Sequence, residues 1–247
     1  MIARTGGGGL VLAMWAVLAP AAGCSDWGGQ RVVLFDGKDL NGWTAQDPDR
    51  NEWEVVGGVE LDPDNPKRFK VTPGTGVLIN GWKGGISDLV GSYQHGDCRA
   101  HIEFAVSKGS NSGVYFQGRY EIQIYDSFGK DNLSYSDCGG IYARWVNRKG
   151  VDGQPPRVNA CKPPGEWQTF DVIFKAPRFD AAGAKVADAK YVKIWHNGQL
   201  IHEDATLPGP TRGPLSNKEV STGPLRLQGD HGPVAYRNIW IEPLDLE

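Results

Sequence analysis

The stretch "CRAHIEFAV" limits what this chain can fold into more than any other segment. Cys98, Ala100, Ile102, Phe104 and Val106 share one face, while Arg99, His101 and Glu103 share the other. Alternation with a period of two over nine residues suits a half-buried β-strand and does not suit a helix. Arg99, His101 and Glu103 then read as a solvated strand face. The same logic makes "SGVYFQG" and "YEIQIY" neighbouring strands across Gly118, with Tyr120, Ile122 and Ile124 towards the core. "WEVVGGVEL" reads as two short strands around Gly57-Gly58, and "GGIYARWV" and "WQTFDVIF" as further strands. In "YVKIWHNGQLIHE" the pair Asn197-Gly198 supplies a type I′ hairpin turn. "GPLRLQGDHGPVAYRNIWIEP" gives two more strands around a glycine-rich turn that carries Asp230 and His231. Together with 34 glycines, 16 prolines and little sustained helical periodicity, these segments predict an all-β fold in a single sandwich domain. Most of the nine tryptophans are expected in its core.

The N-terminus stands apart from this pattern. Arg4, a glycine run, the apolar stretch Leu10 to Leu18 and then "APAAGC" have the layout of a secretory signal peptide, too short for a comfortable membrane span. Ala21-Ala22-Gly23-Cys24 resembles a bacterial lipobox, although Ala21 stands where Leu is usual. The predicted organisation is a signal peptide over 1–23, a short leader over 24–31 beginning at a lipidated Cys24, and one domain over 32–245. Export follows, to the periplasm or outer surface, with membrane attachment only through the lipid. The formal net charge of −3, without blocks of like charge, argues against a nucleic-acid partner. Cys98, Cys138 and Cys161 remain, an odd number that allows at most one internal disulfide. None has CxxC spacing, so buried free thiols are expected rather than a zinc site.

Chemistry points to "GRYEIQIYDS", where Glu121, Gln123 and Asp126 lie within six residues. Glu121 and Gln123 face away from the core residues of their strand. Asp126 joins them only if the strand ends at Tyr125 or bulges. Acids on the wet face of an antiparallel strand can be chemically idle. Two carboxylates on one strand can also stand roughly 5 to 9 Å apart, the separation glycoside chemistry uses. Long loops over residues 147–164 and 209–221 are placed to line a binding site.

Taken in order, "LFDGKDLNGW", "NSGVYFQGRYEIQIYDS", "PPGEWQTFDVIF" and "LQGDHGPVAYRNIWIEPL" resemble the 3-keto-disaccharide hydrolase family, from about Val32 to Leu244. The resemblance implies a two-sheet antiparallel jelly roll of the concanavalin A-like lectin and glucanase type. It also implies a glycoside substrate whose C3 hydroxyl is already a ketone. Laminarinase-type glucanases of the same clan carry Glu-x-Asp-x-x-Glu on one strand. Gln123 and Asp126 depart from that pattern, which argues against ordinary retaining hydrolysis.

A C3 ketone acidifies the C2 proton, so a base can form an enediolate that expels the C1 aglycone by β-elimination. The reaction needs a base, an electrophile for the enolate oxygen and an acid for the leaving group. Glu121 or His231 is the expected base, Asp126 the acid or a metal ligand, and Gln123 an orienting amide. Asn111, Arg119 and Tyr142 are expected to contact sugar hydroxyls. A divalent cation such as Ca²⁺ or Mn²⁺ on Glu121, Asp126 and His231 would stabilise the enolate, with no organic cofactor. The alternatives are a non-catalytic lectin-like module and a conventional β-glucanase.

Overall fold

The computed structural model describes residues 29–247; the expected signal peptide over 1–23 and Cys24 lie outside the described residues. The chain forms a two-sheet antiparallel jelly-roll sandwich. One sheet holds β1 (Val32–Phe35), β3 (Glu54–Leu61), β4 (Phe69–Ile79), β6 (Cys98–Val106), β11 (Gln168–Lys175), β14 (Ala189–His196), β15 (Gln199–Leu207) and β17 (Val234–Pro243). Its order is β15-β14-β11-β6-β17-β4-β3, with β1 also paired to β17. The second sheet holds β2 (Trp43–Ala45), β5 (Leu89–His95), β7 (Asn111–Phe116), β8 (Tyr120–Tyr125) and β16 (Gly223–Leu227), in the order β2-β5-β16-β7-β8. Two small hairpins, β9 (Arg144–Val146) with β10 (Lys149–Val151) and β12 (Arg178–Phe179) with β13 (Lys185–Ala187), extend from the loops.

The alternation in β6 does what its period requires. Cys98, Ala100, Ile102, Phe104 and Val106 are buried, and Phe170, Val172 and Phe174 of β11 join them. From the opposite sheet, Phe116 and Tyr120 bring their rings to 5.3 and 5.6 Å from that of Phe174, which closes the core. Behind β6, His101 and Glu103 are only half-exposed. His101 hydrogen-bonds Asp171 at 2.8 Å and stacks on Trp240, and Glu103 accepts from Arg237 at 2.6 Å. That face is therefore a charge network rather than a freely solvated surface.

Three local expectations change. "WEVVGGVEL" is one strand, β3, with a register shift between Val56 and Gly58. The bulge absorbs the glycine pair because a Cβ on Gly57 would come within 2.7 Å of the Pro73 carbonyl oxygen. In "GGIYARWV" only Arg144–Val146 is a strand, while Ile141 makes isolated bridges to Ile122 and Gln154. Of the seven described tryptophans, Trp43, Trp53 and Trp240 are buried, Trp167 and Trp195 are half-buried, and Trp82 and Trp145 are exposed. Isoleucine, alanine, valine and phenylalanine supply most of the core instead.

Two features position the site. β8 is the edge of its sheet, but the segment after it folds back onto that edge. Gln123 N–H donates to the Gly140 carbonyl and Gly139 N–H to the Gln123 carbonyl, each at 2.8 Å. The edge is thus paired rather than exposed. The link between β16 and β17 is not a hairpin turn, since the two strands belong to different sheets. This crossover carries Asp230 and His231 over the outer face of the five-stranded sheet, and the His231 carbonyl is held there by the Gly85 N–H.

Candidate active site

On that outer face, side chains from adjacent strands line up in register. Arg226 of β16 stands opposite Tyr115 of β7, which stands opposite Glu121 of β8. In the next row Gly113 of β7 stands opposite Gln123 of β8, and Gln228 N–H donates to the Gly113 carbonyl at 2.9 Å. Gly113 makes the site possible, because a Cβ there would run into the Glu121 carboxylate and sit 2.9 Å from its Cγ. The absent side chain lets Glu121 lie across β7. Around these rows is a cavity of about 250 Å³, also lined by Asp88, Asn111, Tyr142, Arg212, Asp230 and His231. That is just below the roughly 300–1,000 Å³ of drug-sized sites, a size that suits one sugar ring. Two more open clefts adjoin it, one sharing Asp88 and Asp230 and the other sharing Arg212 and Gly213. Trp145 lines the second, with the Arg212 guanidinium 4.4 Å from its ring centre.

Charge in this cavity is arranged by burial. Glu121 is 2% exposed, and desolvation pushes its pKa up to about 8, against the opposing pull of Tyr115, Arg226 and His231. Burial thus favours its protonated form at neutral pH. Burial also raises Asp88, although Arg226 Nη1 lies 3.3 Å from its carboxylate and Gly229 N–H donates to it at 2.8 Å. The Arg226 guanidinium packs 3.7 Å from the Tyr115 ring centre and donates to the Gly213 carbonyl. At the mouth, Asp230 hydrogen-bonds His231 Nδ1, which raises the imidazole pKa and lowers that of Asp230.

Three residues that line the cavity each hold a buried polar atom without a protein partner: Arg226 Nε, Gln123 Oε1 and Gln228 Oε1. Leaving such groups unpaired is costly.

Of the residues singled out in the sequence, Asn111, Glu121, Gln123, Tyr142 and His231 line this cavity. Gln123 Nε2 donates to Asn111 Oδ1 at 3.1 Å. Asp126 does not line it. β8 ends at Tyr125, and the Asp126 carboxylate turns away to accept the Gly109 N–H at 2.8 Å. Arg119 does not line it either: it lies in the β7–β8 turn and donates to the Lys218 and Gln117 carbonyls. The set Glu121, Asp126 and His231 therefore does not converge as metal ligands. Sequence reasoning missed Tyr115, Asp88, Arg212, Arg226 and Gln228 as lining residues. Asp126→Asn should leave turnover within about twofold and cost roughly 1 kcal/mol through the weakened loop bond, as measured by steady-state rates and urea unfolding.

A family model described as the 3-keto-alpha-glucoside-1,2-lyase-like domain matches residues 30–242. A curated 3-keto-disaccharide hydrolase from Bacteroides thetaiotaomicron is 29% identical over 104 residues, 41% of this chain, and the match spans 32% of that relative's length. Among solved structures, a glycosyl hydrolase candidate from Parabacteroides distasonis superposes with a TM-score of 0.63 at 30% identity, covering 87% of this chain and 84% of that one. A second from the same organism gives 0.52 at 21% identity, covering 87% and 94%, and speaks to the fold alone.

Proposed function

Because the chain belongs to the 3-keto-alpha-glucoside-1,2-lyase-like family, we propose that it cleaves 3-keto-glycosides by removing the C2 proton and expelling the C1 aglycone. The observation that carries this reading is one cavity holding a buried Glu121, whose pKa burial pushes up to about 8, and a His231 paired to Asp230. Elimination needs an acid and a base that act at the same pH, and these two groups fit those roles. His231, oriented by Asp230, takes the C2 proton. Glu121 protonates the departing oxygen. The Arg226 guanidinium, among the groups lining the cavity, is suited to the oxygen that gains charge as the enediolate forms. Asn111, Gln123 and Gln228 offer amides for the ring hydroxyls, and the flanking clefts leave room for the aglycone. This revises the expected roles: Glu121 moves from base to acid and Asp126 leaves the mechanism. Water addition to the enone product would complete a net hydrolysis.

Equal amounts of a 3-keto-glucoside, the unoxidised glucoside and a β-glucan test the reading. Aglycone released from the keto sugar alone supports it. Binding without release would favour the lectin-like module, and release from the glucan would favour a conventional glucanase.

Export with a lipid anchor on Cys24 is part of the same proposal and rests on the N-terminal sequence. Cys24→Ser should move the protein from the membrane to the soluble fraction of a bacterial host without loss of folded domain, since the lipid is an anchor outside the core.

A further inference from the structure

On the side of β8 away from the sugar cavity, three side chains from distant parts of the sequence meet. A sulfur of Cys138, a sulfur of Cys161 and a ring nitrogen of His196 all lie within 4.8 Å of one another. They come from the segment covering the β8 edge, from the long loop before β11 and from the end of β14. Cys138 and His196 are buried, and Cys161 is half-buried.

The hydrogen bonds around His196 fix its tautomer. Gln168 Oε1 accepts from the Lys162 N–H at 3.1 Å, so that atom is the amide oxygen and not its nitrogen. His196 Nε2 lies 2.9 Å from the same oxygen, and must therefore be the N–H. Nδ1 is left with a bare lone pair. It is fully buried and has no hydrogen-bond partner. An imidazole whose far N–H is held by a carbonyl oxygen is the usual second-shell arrangement of a metal-bound histidine. The rings of Phe104 and Phe170, at 5.9 and 5.0 Å, wall this histidine in.

From these contacts we infer that Cys138, Cys161 and His196 form a binding site for a thiophilic ion of the zinc class. Ligands at about 2.0–2.3 Å from a tetrahedral ion stand roughly 3.5 Å apart, so only a small closing movement is needed. Binding converts two thiols to thiolates and releases two protons, and half-exposed Cys161 leaves a side for water as fourth ligand. The absence of CxxC spacing hid the site because its ligands are adjacent in space and not in sequence. A disulfide between the two cysteines would use the sulfurs but leave Nδ1 as unpartnered as before. The ion would clip together the segment whose Gly139 and Gly140 pair with Gln123. Its role is thus structural and independent of the sugar chemistry.

The test uses the full chain, purified under a phosphine reductant, stripped with a chelator and titrated with Co²⁺. One equivalent should produce sulfur-to-cobalt charge-transfer absorption, and Zn²⁺ should displace it. Cys161→Ser and, separately, His196→Gln should each weaken Co²⁺ binding by at least tenfold. Because His196 is deep in the core, Cys161→Ser at its half-exposed position keeps the test valid if the histidine variant does not fold. Absence of sulfur-to-cobalt absorption from folded, reduced protein would overturn the inference. So would peptide mapping that finds Cys138 and Cys161 joined as a disulfide in the protein as isolated.

Discussion

Glu121→Gln should produce a protein that is more stable than the parent at neutral pH and nearly inactive. The carboxyl is buried and its pKa is pushed up from 4.5 to about 8. A group with a raised folded-state pKa contributes stability in full below its unfolded value, and that contribution is lost as pH rises towards the folded value. Wild type should therefore lose about 1.4 kcal/mol per pH unit relative to Glu121→Gln between roughly pH 4.5 and 8. At pH 7 the variant should lead by about 3 kcal/mol, and below pH 4.5 the two should match. Urea unfolding of both proteins at several pH values checks the slope. An amide cannot deliver a proton, so turnover on a keto-glycoside should fall by about 10²- to 10⁴-fold. A solvated, idle carboxylate would give neither effect.

His231→Gln should cost a similar factor of about 10² to 10⁴ in rate, for the complementary reason that the proposed base is gone. Its side chain sits at the cavity mouth, 45% exposed, so the fold should tolerate the change. The pH profile separates the two residues. Wild-type kcat/KM should rise along an acid limb above pH 6.5, because Asp230 raises the His231 pKa, and fall beyond about pH 8 as Glu121 ionises. Asp230→Asn should move the acid limb to lower pH and leave the alkaline limb in place. In Glu121→Gln the alkaline limb should vanish. An unchanged bell in both variants would mean that other groups carry the protons.

The parts of this site that were legible in the sequence are those governed by strand alternation. Glu121 and Gln123 face away from Tyr120, Ile122 and Ile124, and the pleat puts them together on the outer sheet face. The same signal was present for Arg226 between Leu225 and Leu227, and for Tyr115 between Val114 and Phe116. It went unused because a single outward residue is common on any strand. Asp88 and Arg212 had no local signal, since tertiary structure brings them to the cavity from loops. Asp126 was drawn in by its place in the same short stretch and by the glucanase spacing; the strand does end at Tyr125, but the carboxylate turns aside to accept the Gly109 N–H and serves the backbone. Wetness was misjudged for a related reason. Alternation says which way Glu121 points, but not that it is buried there, and burial is what raises its pKa.

The most direct measurement is the fate of hydrogen at C2. A 3-keto-glucoside deuterated at C2, incubated with the enzyme in ordinary water, should yield product that has lost its deuterium to solvent. His231→Gln should slow label loss and aglycone release together. Product that retains the full C2 label would contradict the enediolate route and return direct displacement at C1 to consideration.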